Sequence, residues 1–368
     1  MNKGERKTMR RYGVDWLRIF VVFLLFPFHT ARIFDWWEIN YIKATPNAFS
    51  SWFVAAVGFW LMALLFVIAG FSAFHALQKR KPGEYIQERV LRLLVPLLFG
   101  LVLIVPVQGY YAVLQHENFT GNYFSFLSGY FTDFHDISGY TGGFTPAHLW
   151  FILYLFVISM ALLPLMLRLS KQREGSINVW MLMLAFVPMT AAEALPGIGG
   201  KNPFFFALLF MLGFLIARSV GTMAAVRRIR FATLAAAFVL TPAYLMLASS
   251  LGWPGGIDLL SGGIALLRNL CVLLIILALL GFADTYFNKP LPVLSYLNGA
   301  SYPVYVLHQS VMMAIAYYIV QAGYSSVFSF IVIMLGSLAA SLALYEMFRR
   351  IAAARIILGI KEKNIQKI

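Results

Sequence analysis

Ten predominantly apolar runs, most of 18 residues or more, punctuate this 368-residue chain and limit its fold more than any single motif does. A helix rises 1.5 Å per residue, so a run of that length crosses a hydrocarbon core of about 30 Å. The runs lie near residues 16–36, 52–77, 91–114, 147–167, 177–195, 203–219, 231–250, 259–282, 300–320 and 327–348. They predict an all-α integral membrane protein, one domain over residues 1–368 built as a bundle of about ten transmembrane helices. With 61% hydrophobic and 12% charged residues, the chain is far from the balance of a water-soluble surface.

The distribution of charge orients the bundle. Counted with the N-terminus inside, cytoplasmic segments carry 25 of the 29 Lys and Arg residues. Outside fall only Arg32, Lys43 and Lys201, while Arg268 lies within a span. That asymmetry is the positive-inside pattern, and it predicts that both termini are cytoplasmic, the C-terminal end as a basic tail over residues 349–368. The net charge of +14 therefore reads as topology and contact with the anionic face of a lipid bilayer, with no nucleic-acid partner expected. Cys271 is the single cysteine, which excludes disulfides within the chain and cysteine-based zinc or iron–sulfur sites. No metal is expected. The first run is too long for the apolar core of a signal peptide and continues into Arg32 and Asp35, so it reads as a retained helix.

Residues 115–146 form the longest loop, on the extracytoplasmic side, without Lys or Arg and with nine aromatic residues. Such density argues for order, either as a cap over the bundle or as a sugar-stacking surface. Asn118-Phe119-Thr120 is a formal glycosylation sequon, too common a pattern to use. No inverted repeat of the transporter kind is discernible.

Ionisable groups inside spans are costly, and each marks a candidate site. Asp15, Arg18 and His29 lie on the first helix. Eleven residues separate Arg18 from His29, about 16 Å of rise with little net rotation, so both face one groove. Arg18 stands at the cytoplasmic mouth and His29 in the outer half, where a neutral imidazole suits a general base. Glu88-Arg89-Val90-Leu91-Arg92 opens the third helix with two guanidiniums fit for bidentate phosphate contacts. His148 and Trp150 stand at the outer end of the fourth helix, where an interfacial pair is the simpler reading. His308 is expected about 12 Å in from the cytoplasmic end of the ninth helix, with Tyr305 on its face and roughly 8 Å shallower than His29. Arg268, beside Asn269 in the eighth helix, needs a buried carboxylate or an anionic ligand.

Five elements in this order resemble the membrane acyltransferase-3 family over essentially the whole chain. They are Val14-Asp15-Trp16-Leu17-Arg18 with its spacing to His29, Phe66 through Phe71, Arg89-x-x-Arg92, His148-Leu149-Trp150-Phe151, and Tyr302-Pro303-Val304-Tyr305 leading to His308. Pro27-Phe28-His29, Asn298 through His308 and Leu344-Tyr345-Glu346 are similar to the branch of periplasmic glucan succinyltransferases. Ala69 departs from the pattern, since many members have Ser before the Gly.

The resemblance implies a multi-pass enzyme of the inner (cytoplasmic) membrane. It would move an acyl group, of the acetyl or succinyl class, from cytoplasmic acyl-coenzyme A to a hydroxyl of an extracytoplasmic carbohydrate or glycan. His29 would be catalytic and Arg18, Arg89 and Arg92 would hold the donor phosphates. Asp15, His148, Trp150, Arg268, Tyr305 and His308 would line the cavity or bind substrate, with Arg268 suited to the carboxylate of a succinyl group. The rival reading is a transporter or flippase for an anionic glycan or lipid, with the arginines as ligands and His29 as a proton relay.

Overall fold

The computed structural model describes residues 11–117, 119–136, 138–172, 175, 177–254 and 258–360. The sequon at Asn118, Arg173 and the tail beyond residue 360 lie outside the described residues, so the basic tail is described only in part. Among the described residues the structure is helical, with one isolated antiparallel bridge between Ile198 and Lys201.

In chain order come α1 (Tyr12–Ile33), α2 (Ala48–Leu77) and α3 (Pro82–Arg89), then a π-helical turn (Val90–Leu94) running into α4 (Val95–Leu103) and α5 (Val105–His116). Next are α6 (Tyr123–Tyr130), a 3₁₀ turn (Ala147–Leu149), α7 (Trp150–Ala161), α8 (Leu163–Lys171), α9 (Val179–Met183), α10 (Phe186–Glu193) and α11 (Pro203–Arg218). The chain closes with α12 (Val220–Leu251), α13 (Leu259–Tyr286), α14 (Pro292–Gln321), α15 (Ser326–Phe348) and α16 (Ala352–Ile357). Side-chain caps start several of these helices. Asn47 accepts from the Ser50 amide at 2.9 Å, Asn202 from Phe205 at 2.9 Å and Asp258 from Ser261 at 2.9 Å.

Each of the ten predicted runs coincides with helix, but not all of them have the length and apolarity that mark a membrane span. Among the described residues seven helical segments are long and apolar enough to cross, and the bent pair Ala147–Ala161 and Leu163–Lys171 raises the number to eight. Proline accounts for the interruptions, because it lacks the amide that would bond four residues back. Pro164 follows the 54° bend between α7 and α8. Pro188 lies just beyond the break between α9 and α10, where the chain tightens so that the Val187 amide bonds the Leu184 carbonyl at 3.0 Å. The segment Val179–Glu193 and α11, Pro203–Arg218, are shorter apolar helices, each rising about 22–24 Å.

Three helices instead extend beyond the predicted runs. α3, α12 and α14 begin 8 to 11 residues earlier than the apolar pattern does, in polar sequence such as Ser295, Asn298, Arg227 and Arg230. Helix does not require apolar residues where it stands outside the hydrocarbon.

Close approach of small residues holds the centre. Gly70 of α2 lies against the Phe210 carbonyl of α11, and Gly213 of α11 lies against the Val67 carbonyl of α2. A Cβ at either would come within 1.8 or 1.9 Å of backbone oxygen. The long loop is ordered around inward-facing rings. Phe126 is buried against Tyr110 and Tyr130 against Phe126, while Phe124 and Phe134 remain exposed. Asp136 ties the loop together by accepting from Ser138 and Thr141; burial opposes its charge, but these bonds prevail and hold its pKa at about 2.

The crossing makes a paired prediction. Gly70→Ala should lower the thermal midpoint in detergent, because the clash is with backbone, at a cost of roughly 1–3 kcal/mol. Gly336→Ala, in α15 with its nearest neighbour 4.0 Å from the added carbon, should be neutral or stabilising. Equal midpoints for the two variants would contradict the close crossing.

Candidate active site

A cavity of about 630 Å³ opens at the basic end of the bundle between α1, α2, the π turn, α7 and α14. Among the described residues, Arg11, Arg18, Lys79, Arg80, Arg89 and Arg92 line it, against Asp15 and Glu88. Arg18, Arg89 and Arg92 are thus gathered from two separate helices into one mouth. The Arg18 guanidinium donates to Ser72 Oγ at 2.9 Å and Asn298 Oδ1 at 3.1 Å, with Asp15 at 3.3 Å one turn back. These contacts hold its fork in place on α1. Arg80 and Arg92 share the Glu88 carboxylate at 3.1 and 3.3 Å, and Arg89 lies over the Tyr85 ring at 4.7 Å.

The π turn has a local cause. Pro96 cannot donate to the Arg92 carbonyl, and the widened turn Val90–Leu94, closed by the Val95 amide on the Val90 carbonyl, absorbs the missing bond. It is there that Arg92 projects into the cavity. Pro303 acts similarly on α14: it leaves the Gly299 carbonyl without its helical donor, and both residues line the cavity wall.

Val22, Leu65, Phe151, Pro303 and Tyr305 bound the deep part of the cavity. The buried Tyr305 hydroxyl donates to the His148 carbonyl, and His148 Nε2 donates to the Val306 carbonyl at 2.9 Å. This reciprocal pair locks α14 to the 3₁₀ turn before α7. It also holds Ala147 in the left-handed region, at φ 47°, a conformation that costs an ordinary L-residue about 1–2 kcal/mol.

Beyond Tyr305 three imidazoles meet. The His308 ring lies 5.6 Å from that of Tyr305, 5.3 Å from His148 and 5.2 Å from His29. Two expectations change here. His308 is not shallower than His29, because α14 starts at Pro292 instead of near residue 300. His308 is 16 residues into α14 and His29 is 17 into α1, depths of about 24 and 26 Å. Nor is His148 an interfacial residue: it is buried at 6% exposure by the bonds just described. The cavity lining reaches Val22 on α1, so half-buried His29 lies about 10 Å further along that helix, on the far side of the Tyr305–His308 contact.

Two sequence candidates stand apart. Trp150 packs against Phe206 at 5.1 Å and Tyr154 at 5.4 Å, with the Lys201 ammonium 5.1 Å from its ring, and does not line the cavity. Arg268 pairs with Glu193, which also accepts from Asn269 Nδ2 at 2.9 Å; Asn269 reaches Thr190 as well, at 3.0 Å. This knot joins α10 to α13 and supplies the carboxylate that sequence inspection did not identify. Conversely, His75, Ser72 and Asn298 line the cavity and were overlooked. His75 carried a usable signal as an ionisable group ending a long apolar run, masked by Phe71 and Phe74 around it.

Glu193→Gln should lower the thermal midpoint by leaving the Arg268 charge uncompensated, and adding Arg268→Gln should recover part of the loss. Additive losses in the double variant would contradict a pairing between them.

The sequence model of a family described as an acyltransferase domain matches residues 11–346. Curated relatives include the glucans biosynthesis protein C of Salmonella gallinarum and that of Salmonella heidelberg. Each is 22% identical to this chain over 96% of its length and 95% of theirs. No solved structure matches with significance. With its arginine-lined cavity and histidine cluster inside a family match that spans nearly the whole chain, this protein belongs to the membrane acyltransferase-3 family.

Proposed function

We propose that this protein is a membrane O-acyltransferase. It takes an acyl group of the acetyl or succinyl class from cytoplasmic acyl-coenzyme A and transfers it to a hydroxyl of an extracytoplasmic glycan, with a glucan the favoured acceptor class. In this reading the chain crosses the inner membrane ten times, with the short helices α9–α10 and α11 as two of the spans and both termini in the cytoplasm. The observation that carries the reading is one cavity that collects Arg18, Arg89 and Arg92 at a basic mouth and ends at Tyr305, in ring contact with His308.

The chemistry follows from that geometry. Among the described lining residues, six cations against two carboxylates favour a polyanion such as the phosphates of coenzyme A, and guanidinium forks bind phosphate bidentately. The pantetheine arm would lie along the apolar wall of Val22, Leu65, Ile68 and Phe151, bringing the thioester to Tyr305, which would have to swing aside for the acyl carbonyl to reach His29, about 10 Å beyond Val22 on α1. His29 is the base. The acceptor hydroxyl oxygen attacks the thioester carbonyl carbon while His29 takes the hydroxyl proton. Collapse of the tetrahedral intermediate breaks the C–S bond, and the thiolate regains the proton from His29 to leave as coenzyme A. The products are an ester on the glycan and a free thiol, with no net proton change.

The transporter reading is the weaker one. Its midplane anion ligand would be Arg268, whose guanidinium is engaged by Glu193. The same pairing makes Arg268 the weaker candidate for selecting a succinyl carboxylate.

Purified protein in nanodiscs with radiolabelled acetyl- or succinyl-coenzyme A tests the proposal. His29→Ala should reduce acyl turnover by roughly 10²–10⁴-fold, and undiminished turnover in that variant would remove His29 from the mechanism. Arg89→Ala combined with Arg92→Ala should weaken coenzyme A binding by roughly ten- to a hundredfold, with an effect that shrinks as salt rises. Unchanged affinity would contradict phosphate capture at the π turn.

A further inference from the structure

The three imidazoles beyond Tyr305 differ in what they have left to offer, and the difference assigns a role. A backbone carbonyl can only accept a hydrogen bond, so a ring nitrogen bonded to one must carry the proton. His308 Nδ1 donates to the Tyr305 carbonyl at 2.6 Å, which fixes its proton there and leaves Nε2 a bare lone pair. His148 Nε2 donates to the Val306 carbonyl, which leaves its Nδ1 a bare lone pair. Both of these remaining nitrogens are buried and have no partner among the described residues. An orphaned buried acceptor costs about 1–3 kcal/mol, and two side by side call for a donor.

Neither can supply the other, since both have already committed their single proton. His29 is the one ring in the cluster whose N–H is uncommitted: it touches the Phe28 and His308 rings, each at 5.2 Å, and makes no hydrogen bond among the described residues. The two rings are not hydrogen-bonded in the structure, but at that centroid separation a turn of the His29 ring brings its nitrogen within a hydrogen-bond reach of about 3 Å of His308 Nε2. The other titratable groups facing this pair are His148 from the 3₁₀ turn, Tyr305 from α14 and Arg32 one turn along α1.

We infer that His308 is the positioning residue for His29: its Nε2 accepts the His29 N–H and thereby turns the other His29 nitrogen, lone pair outward, to the acceptor hydroxyl. The inference rests on the reading of His29 as base. Its logic is that of any base oriented by a third group, with a neutral imidazole in place of the usual carboxylate. A neutral orienter suits this depth in the bundle, where an ionised carboxylate would carry a large desolvation cost. When His29 takes the substrate proton it has two N–H donors, and His308 Nε2 already accepts one of them. His148 completes the arrangement by packing its ring perpendicular to His308, at 86°, which holds the His308 plane.

The experiment compares wild type with His308→Gln, which keeps an acceptor near the Nε2 position, and His308→Leu, which removes it. Two readouts are used in nanodiscs. The first is kcat and KM for acyl-coenzyme A across pH. His308→Leu should lose roughly a hundredfold or more in kcat with KM within about twofold, whereas His308→Gln should keep at least about a tenth of wild-type kcat. The second needs no substrate: the rate at which diethyl pyrocarbonate modifies His29, followed by peptide mass spectrometry. That rate should fall at least about fivefold in His308→Leu and be largely restored in His308→Gln.

Equal His29 modification rates in wild type and His308→Leu, or a Gln variant as impaired as Leu, would overturn the assignment. The two proposals fail separately. Loss of turnover in His29→Ala with full turnover in His308→Leu sinks only the positioning role; turnover that survives His29→Ala sinks the base itself. If no acyl transfer is seen in wild type, the modification rates still decide whether His308 orients His29.

Discussion

The pair of hydrogen bonds between Tyr305 and the His148 carbonyl, and between His148 and the Val306 carbonyl, is the constraint on which the interior depends. Hydrocarbon supplies no alternative partner, so polar groups at this depth must satisfy one another or pay for their burial. Here the exchange ties a long continuous helix to the start of a bent one. It brings the His148 and His308 rings into contact, holds Ala147 in a left-handed conformation and sets Tyr305 as a septum between a basic cavity and a histidine cluster.

Proline and glycine shape the space around that lock. Pro96 accompanies the π turn that presents Arg92, Pro303 frees the Gly299 carbonyl on the cavity wall, and Pro27 stands two residues before His29 in α1. In each case a helix gives up a regular bond where it borders the cavity or the histidines. Elsewhere the bundle does the opposite: Gly70 and Gly213 let α2 and α11 approach to backbone contact. A firm crossing beside deliberately interrupted helices is how a bundle can enclose a polar cavity without losing its packing.

Much of this was legible in the sequence, and the failures have physical reasons. The run of apolar segments and the arginines at Arg18, Arg89 and Arg92 were readable because membrane depth and basic mouths leave a compositional imprint. The level of His308 was misread because α14 starts in polar sequence, at Pro292, which hydropathy treats as loop although helix continues outside lipid. The partner of Arg268 was missed because Glu193 is 75 residues away and nothing local marks the pair. Trp150 was grouped with His148 by adjacency, yet neighbouring helical residues point to different faces, and its ring packs with Phe206 on α11. The meeting of three histidines from three separate segments was beyond any pattern within a single helix.

The central claim is that an acyl donor enters at the arginines and presents its reactive end at the Tyr305 septum. Electron cryomicroscopy of the protein in nanodiscs with a non-hydrolysable thioether analogue of acetyl-coenzyme A tests this directly. The account predicts phosphate density against Arg18, Arg89 and Arg92, with the acetyl end in contact with Tyr305 and directed at His29. Density for the nucleotide away from this cavity, or an acyl end directed into lipid, would contradict it.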